Sequence, residues 1–284
     1  GTVSSVLISG GSISGTQPVG GIAAAVGSTS GGPFGIITNS GLKNVTVTAT
    51  TQYGGGIIGQ VGNGRLVVIS NSFFEGTLNG GTRSGGIIGG TQTSTPSWTM
   101  ISSSYVSGTL RFTGNAVGGI IGWGGYTYIK DSFVTATILN VGNNSGTGTI
   151  AGQSLSGSFV GSNNYWYSGS TCKYNNGVSN CTLLDHNGTH ASISDFFDNA
   201  NAPLSSWDFN GLSSDGPSDI WVENASQLPS LWFQDSIEVN APWTGSGTDA
   251  DPYEIANLND FNKIGENPRF MHQSFELNTS LNIS

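Results

Sequence analysis

The sequence predicts an all-β protein, a β-solenoid (β-helix) of about five to six coils of roughly 30 residues, with a C-terminal extension containing a short helix. Three observations point there. The tripeptide Gly-Gly-Ile recurs at Gly20-Gly21-Ile22, Gly55-Gly56-Ile57, Gly85-Gly86-Ile87 and Gly118-Gly119-Ile120, with a weakened copy at Gly148-Thr149-Ile150. Counted Ile to Ile the steps are 35, 30, 33 and 30 residues, and self-similarity at such a period marks stacked coils. A second motif keeps the same period, since Val45, Phe73, Tyr105, Phe133 and Tyr165 are 28, 32, 28 and 32 residues apart. Finally, only 9% of residues are charged, far below the usual quarter.

Each unit reads as a β-branched or aromatic run, a turn rich in Gly, Ser and Asn, and a Gly-Gly-Ile-Ile-Gly strand. Such a unit cannot bury its apolar side alone and must stack on copies of itself, at about 4.8 Å per coil. Ile22, Ile57, Ile87, Ile120 and Ile150 are expected to form one inward ladder, and Phe73, Tyr105 and Phe133 another. Glycine serves sharp corners and close backbone approach. A phosphate cradle is not indicated, because no Walker-type Lys follows any glycine cluster.

The formal net charge of −9 is unevenly placed: Glu75 and Asp131 are the only acids before Asp185, and fifteen more lie between Asp185 and Glu276. Eight scattered Lys and Arg residues make no basic stripe, which argues against nucleic acid and against an anionic membrane surface. No apolar run approaches the roughly 18 residues of a membrane span. With neither a starting Met nor a signal peptide, the chain is expected to be a mature form or an excised portion of something longer.

Three regions are expected: coils at 1–170, a disulfide loop and closing tail at 171–240, and a C-terminal segment at 241–284. Cys172 and Cys181 enclose a loop centred on Asn-Gly, which reads as one local disulfide and hence an oxidising compartment, with free thiols as the alternative. Seven Asn-X-Ser/Thr acceptors occur, at Asn44, Asn143, Asn180, Asn187, Asn224, Asn278 and Asn282. About as many arise by chance in a chain so rich in Asn, Ser and Thr. Asn143, Asn180 and Asn187 lie in loop-like stretches and are the better glycan acceptors; Asn44 is expected inside a strand ladder.

Runs such as Ile101-Ser102-Ser103-Ser104-Tyr105-Val106-Ser107-Gly108, set behind the Gly-Gly-Ile-Ile-Gly strands, resemble the GLUG-motif repeats of secreted bacterial and archaeal surface proteins and adhesins. The stretch from Gly32 to Val47 is similar to the coil that precedes those repeats. Asn163-Asn164-Tyr165-Trp166-Tyr167 resembles their closing coil, and Trp207-Asp208-Phe209 with Trp221 to Trp232 resembles the tail behind it. The stretch from Trp243 through Tyr253, Glu254 and Ile255 to Phe275 and Leu277 is similar to the segment that opens such modules, yet here it comes last. The resemblance implies that this segment covers the open first coil of a following module, through Trp243, Tyr253, Ile255, Leu258, Phe261, Ile264, Phe275 and Leu277. Either the chain is one period of a tandem array, or its end docks on the next copy to build a head-to-tail homopolymer at the cell surface.

Chemistry is sparse. β-Helices host polysaccharide lyases and hydrolases, but these need clustered carboxylates, and by repeat count Glu75 and Asp131 lie about two coils apart. No catalytic residue and no cofactor is expected. Asp249 and Asp251 could hold Ca²⁺ through oxygen ligands, although a turn cap suits them better. The rival to a structural role is glycan binding, with Trp98, Trp123, Tyr126 and Tyr128 expected at or beyond coil corners.

Overall fold

Successive coils lie side by side in parallel register, as in the run Ile37↔Ile69↔Ile101↔Ile129. The structure, a computed structural model, describes residues 1–27, 34–92, 97–142, 146–154, 159–167, 169–181, 189–191, 204–209, 220–224, 228–234, 243–248, 250–261 and 274–278. It divides into two units, Gly1–Ile193 and Ser194–Ser284. The first is a β-solenoid of about five turns.

Its coils contribute to three parallel sheets. The long sheet contains the strands Gly35–Gln52, Leu66–Thr82, Trp98–Ser102 and Tyr105–Phe112; the two others hold five short strands each, among them Gly54–Gly55 and Ile58–Val61. The isoleucine ladder runs between the short sheets. Its amides donate coil to coil, Ile22 to Ile57 at 3.0 Å, Ile57 to Ile87 at 3.0 Å, Ile87 to Ile120 at 2.9 Å and Ile120 to Ile150 at 2.8 Å. Ile57, Ile87, Ile120 and Ile150 are buried; Ile22, on the first coil, is partly exposed.

The Gly-Gly-Ile motif is not itself a strand. Gly55 ends one sheet, Gly56 and Ile57 form the bend, and Ile58 starts the next. The bend is so tight that a Cβ on Gly55 would lie 1.8 Å from the Ile58 carbonyl, and one on Gly56 would lie 2.0 Å from the Gly86 carbonyl. Only glycine fits both positions.

A second corner bends the long strands through a left-handed residue in each coil: Asn39, Asn71, Ser103, Asp131 and Asn163, at φ between 45° and 54°. Asn and Asp tolerate this conformation better than most side chains, and stacked partners bond, as Asn71 Nδ2 does to Asn39 Oδ1 at 3.1 Å. The bend shifts the in-and-out alternation by one. Before it the core residues are Val67 and Ile69; after it they are Phe74 and Leu78.

That shift corrects the second expected ladder. Phe73, Tyr105 and Phe133 do stack, with centroids 5.4 and 4.9 Å apart and planes within 9°, and they are buried. They point away from the main core, however, because strand neighbours alternate faces. The inward column is Phe74, Val106, Val134 and Trp166.

Just after the same corner runs a buried polar column of Ser40, Ser72, Ser104, Ser132 and Asn164. The Ser72 amide donates to Ser104 Oγ at 3.2 Å and the Ser104 amide to Ser132 Oγ at 3.2 Å, while Ser132 takes Asn164 Oδ1 at 3.2 Å. Each serine hydroxyl also donates to a carbonyl two residues back, for example Ser104 to Ser102 at 2.7 Å. The column satisfies amides that the corner withdraws from the ladder.

Cys172 and Cys181 form a disulfide. It closes an antiparallel hairpin, Cys172–Tyr174 against Ser179–Asn180, whose first strand pairs in parallel with Thr137–Asn140. The hairpin belongs to the first unit. In the second unit Trp207 stacks on Trp221 at 4.9 Å, and Tyr253–Ile255 pairs in parallel with Phe275–Leu277. Asn257 starts a helical turn at residues 258–261: its Oδ1 accepts the Asp260 amide at 2.9 Å, an N-cap, while Asp260 Oδ2 accepts the Ala256 amide at 3.3 Å.

Candidate interaction surfaces

The first surface is the N-terminal edge of the solenoid. Thr2–Ser4, Leu7–Ser9, Ser12–Gly15, Val19–Gly20 and Ala23–Val26 each pair with the second coil, and among the described residues nothing pairs with their other side. Val3, Ile8, Ile13 and Ile22 pack on the core yet remain partly exposed. Edge strands are normally blunted by charge, especially Lys. Here the first charged side chain is Lys43.

The second surface is the C-terminal segment, and it revises the expected docking set. Trp243, Tyr253 and Phe275 form a cluster of their own, with centroids 5.3 to 5.7 Å apart. Trp243 Nε1 donates to the Asp260 carbonyl at 3.1 Å, and both Trp243 and Ile255 are buried. These two hold the segment together and are spent. Leu258, Phe261 and Leu277 remain exposed, at 41%, 47% and 59%. Ile264 lies outside the described residues.

A third surface is the outer face of the long sheet. Trp98 and Tyr126 are the first residues of their strands, and Tyr128 lies two residues further along the same face. Trp98 stacks on Tyr126 with centroids 4.6 Å apart and planes 16° apart, so each ring turns a face to the neighbouring coil. Trp123 belongs to another sheet, where the Arg83 guanidinium lies 4.8 Å from its ring and also covers Tyr53 at 5.5 Å.

The two acids of the coils are engaged locally. Glu75 accepts a hydrogen bond from the Tyr105 hydroxyl and sits 4.0 Å from Lys43. Asp131 accepts from Asn163 Nδ2 at 3.0 Å and pairs with Lys130 at 3.1 Å. The hydrogen bond and charge of Asp131 raise the Lys130 ammonium above its ordinary value. Burial, aided by the Asp131 charge, raises the Tyr165 phenol.

Among the described residues no group of three or more His, Cys, Asp or Glu side chains is placed to hold a metal. Asp249 lies outside them, and Asp251 is exposed in a turn closed by mutual backbone bonds with Thr248. No helix among them is long and apolar enough to cross a membrane.

Of the glycan acceptors, Asn143, Asn187 and Asn282 lie outside the described residues. Asn44 is exposed, contrary to expectation, because a bulge between Lys43 and Val45 ejects it from the ladder with φ 57°. Asn180 and Asn278 are exposed. Asn224 is tied down, its Nδ2 donating to the Leu228 carbonyl at 3.0 Å and Ser230 Oγ at 3.1 Å.

The serine column and the apolar outer face went unread in the sequence, although both leave a trace: Ser72, Ser104, Ser132 and Asn164 each precede the aromatic of their repeat. Comparison with family models, with curated proteins and with solved structures finds no match for this chain.

Proposed function

We propose that the chain is a structural module of an extracellular filament or cell-surface array, related to GLUG-type surface proteins, that joins its neighbours end to end. The exposed side chains of the C-terminal segment, Leu258, Phe261 and Leu277, cover the first coil of the next module. The observation that carries this reading is the N-terminal edge: five strands that, among the described residues, are paired on one side, with partly exposed Val3, Ile8 and Ile13 beneath and no charged side chain before Lys43. Such an edge is a template for strand addition. A heterologous contact of this kind propagates rather than closes. The Cys172–Cys181 disulfide supports an oxidising, extracellular setting.

The alternative, a glycan-binding adhesin, draws less support because the rings it needs are partly occupied: Trp98 and Tyr126 each take up one face of the other, and Arg83 lies over Trp123. An enzyme reading draws less support from the described coils, where Glu75 and Asp131 serve Tyr105 and Asn163.

Electron microscopy of the purified chain at high concentration tests the assembly. Fibres are expected for the unaltered chain, and isolated rods for Leu258→Asp with Phe261→Asp or on deletion of 243–284. Isolated rods from the unaltered chain, or fibres from the altered ones, overturn the reading.

A further inference from the structure

We propose that the outer face of the long sheet is a lateral self-association surface, on which the same face of a second copy lies. Two outward columns build it. One contains Leu66, Trp98 and Tyr126, with exposed Phe34 just ahead of the neighbouring strand Gly35–Gln52; the other contains Ile36, Val68, Met100, Tyr128 and Val160, in register coil after coil. Phe34, Trp98 and Val160 are 63%, 59% and 59% exposed, and Met100 is 44% exposed. The outward alternate positions of a solvated sheet are normally polar. Here no member of either column is charged.

Three features select a second copy over other occupants. The columns offer no charge to an ionic partner, and their hydroxyls are few, that of Tyr128 lying 3.4 Å from Ser162 Oγ. Sugar stacking needs free ring faces, and one face of each of the two foremost rings is taken up by the other. Size completes the choice: five rungs at about 4.8 Å by two columns give about 300 Å², against the roughly 800 Å² per partner of a stable complex. One chain's patch is too small to hold a globular protein, or to dimerise tightly. A repeating partner with an equal rise per rung adds area with every module, and the protein's own face has that rise.

Two separate chains therefore pair weakly through this face. Modules joined end to end, which rests on the function proposed above, present a continuous stripe and pair firmly, so that filaments bundle. Lateral order follows from axial order.

Cysteine cross-linking tests the pairing whether or not fibres form. Met100 is the third of the five apolar residues in its column, which begins with Thr2, and a twofold pair brings the centre of its patch onto itself. Under mild oxidation Met100→Cys is expected to give disulfide-linked dimers in several-fold higher yield than Arg111→Cys, which is also exposed but lies on a different strand of the sheet. Equal yields overturn the proposal. In micrographs, the unaltered chain is expected to form bundles, and Trp98→Lys with Met100→Lys single fibres of unchanged length; bundling by that variant also overturns it. Absence of fibres from the unaltered chain counts against end-to-end docking alone, and the cross-linking result still decides the lateral contact.

Discussion

The backbone amide of Ser104 donates to Ser132 Oγ, one coil further along, at 3.2 Å, and the same hydroxyl donates to the Lys130 carbonyl at 2.8 Å. The hydroxyl thus serves two coils at once. Ser132→Ala leaves the buried Ser104 amide without its acceptor, an expected loss of about 1–3 kcal/mol. Chemical denaturation measures it. A midpoint equal to that of the unaltered chain contradicts the role assigned to the column.

Glycine at the bend is a matter of space. A Cβ on Gly86 would lie 2.3 Å from the Gly119 carbonyl and 2.5 Å from Val106 Cγ1, so Gly86→Ala must push backbone apart in adjoining coils. The expected cost is about 3 kcal/mol or more. Gly177→Ala meets nothing within 4 Å and only a left-handed φ of 84°, for which about 1 kcal/mol is expected. The two melting temperatures should fall in that order.

The disulfide closes a short loop, nine residues in sequence separation. Loop-closure entropy for such a ring contributes about 2–3 kcal/mol. Reduction is therefore expected to loosen the hairpin and its pairing to Thr137–Asn140 first, leaving the Ile57 to Ile120 ladder closed. Hydrogen exchange with and without reductant resolves this; loss of protection at Ile57 before Cys172 would contradict it.

Alkaline pH should weaken the solenoid. Lys130 has a folded-state pKa raised above 10.5 by Asp131, so its contribution is present below that value and is lost as pH rises through the raised one. Tyr165, raised above 10.0 by burial and then by Asp131, stays neutral when folded while the unfolded chain ionises; stability again falls with rising pH. Thermal melts between about pH 9 and 12 should show the decline. Asp131→Asn should make it shallower, and an unchanged slope contradicts the assignment to Asp131.

Glycan attachment should discriminate between Asn44 and Asn224. The atom that becomes glycosylated, Nδ2, is doubly hydrogen-bonded in Asn224, whereas Asn44 stands on an exposed bulge. In an N-glycosylating secretory host, peptide mass spectrometry should find Asn44 occupied and Asn224 bare. The reverse pattern refutes the accessibility argument.

The sequence by itself determined the coil, its period and the isoleucine ladder, because stacking places each repeat in the environment of the last. A recurrence along the chain therefore becomes a column in space, and Ile57, Ile87 and Ile120 could be aligned by counting. The Cys172–Cys181 pair was legible for a similar reason, its loop being local. Only the tertiary structure decided which way side chains face. One left-handed residue per coil, such as Asn71, moves the inward position from Phe73 to Phe74, and one bulge expels Asn44. The left-handed position recurs with the coil, but as Asn, Ser or Asp, none of which requires that conformation, and the bulge occurs once. Trp98 and Tyr126 came to the outer face at the start of their strands, and Trp243 and Ile255 were absorbed into their own segment. In a strand the period is two, so a single extra or inverted residue exchanges inside for outside, and backbone geometry alone settles that parity.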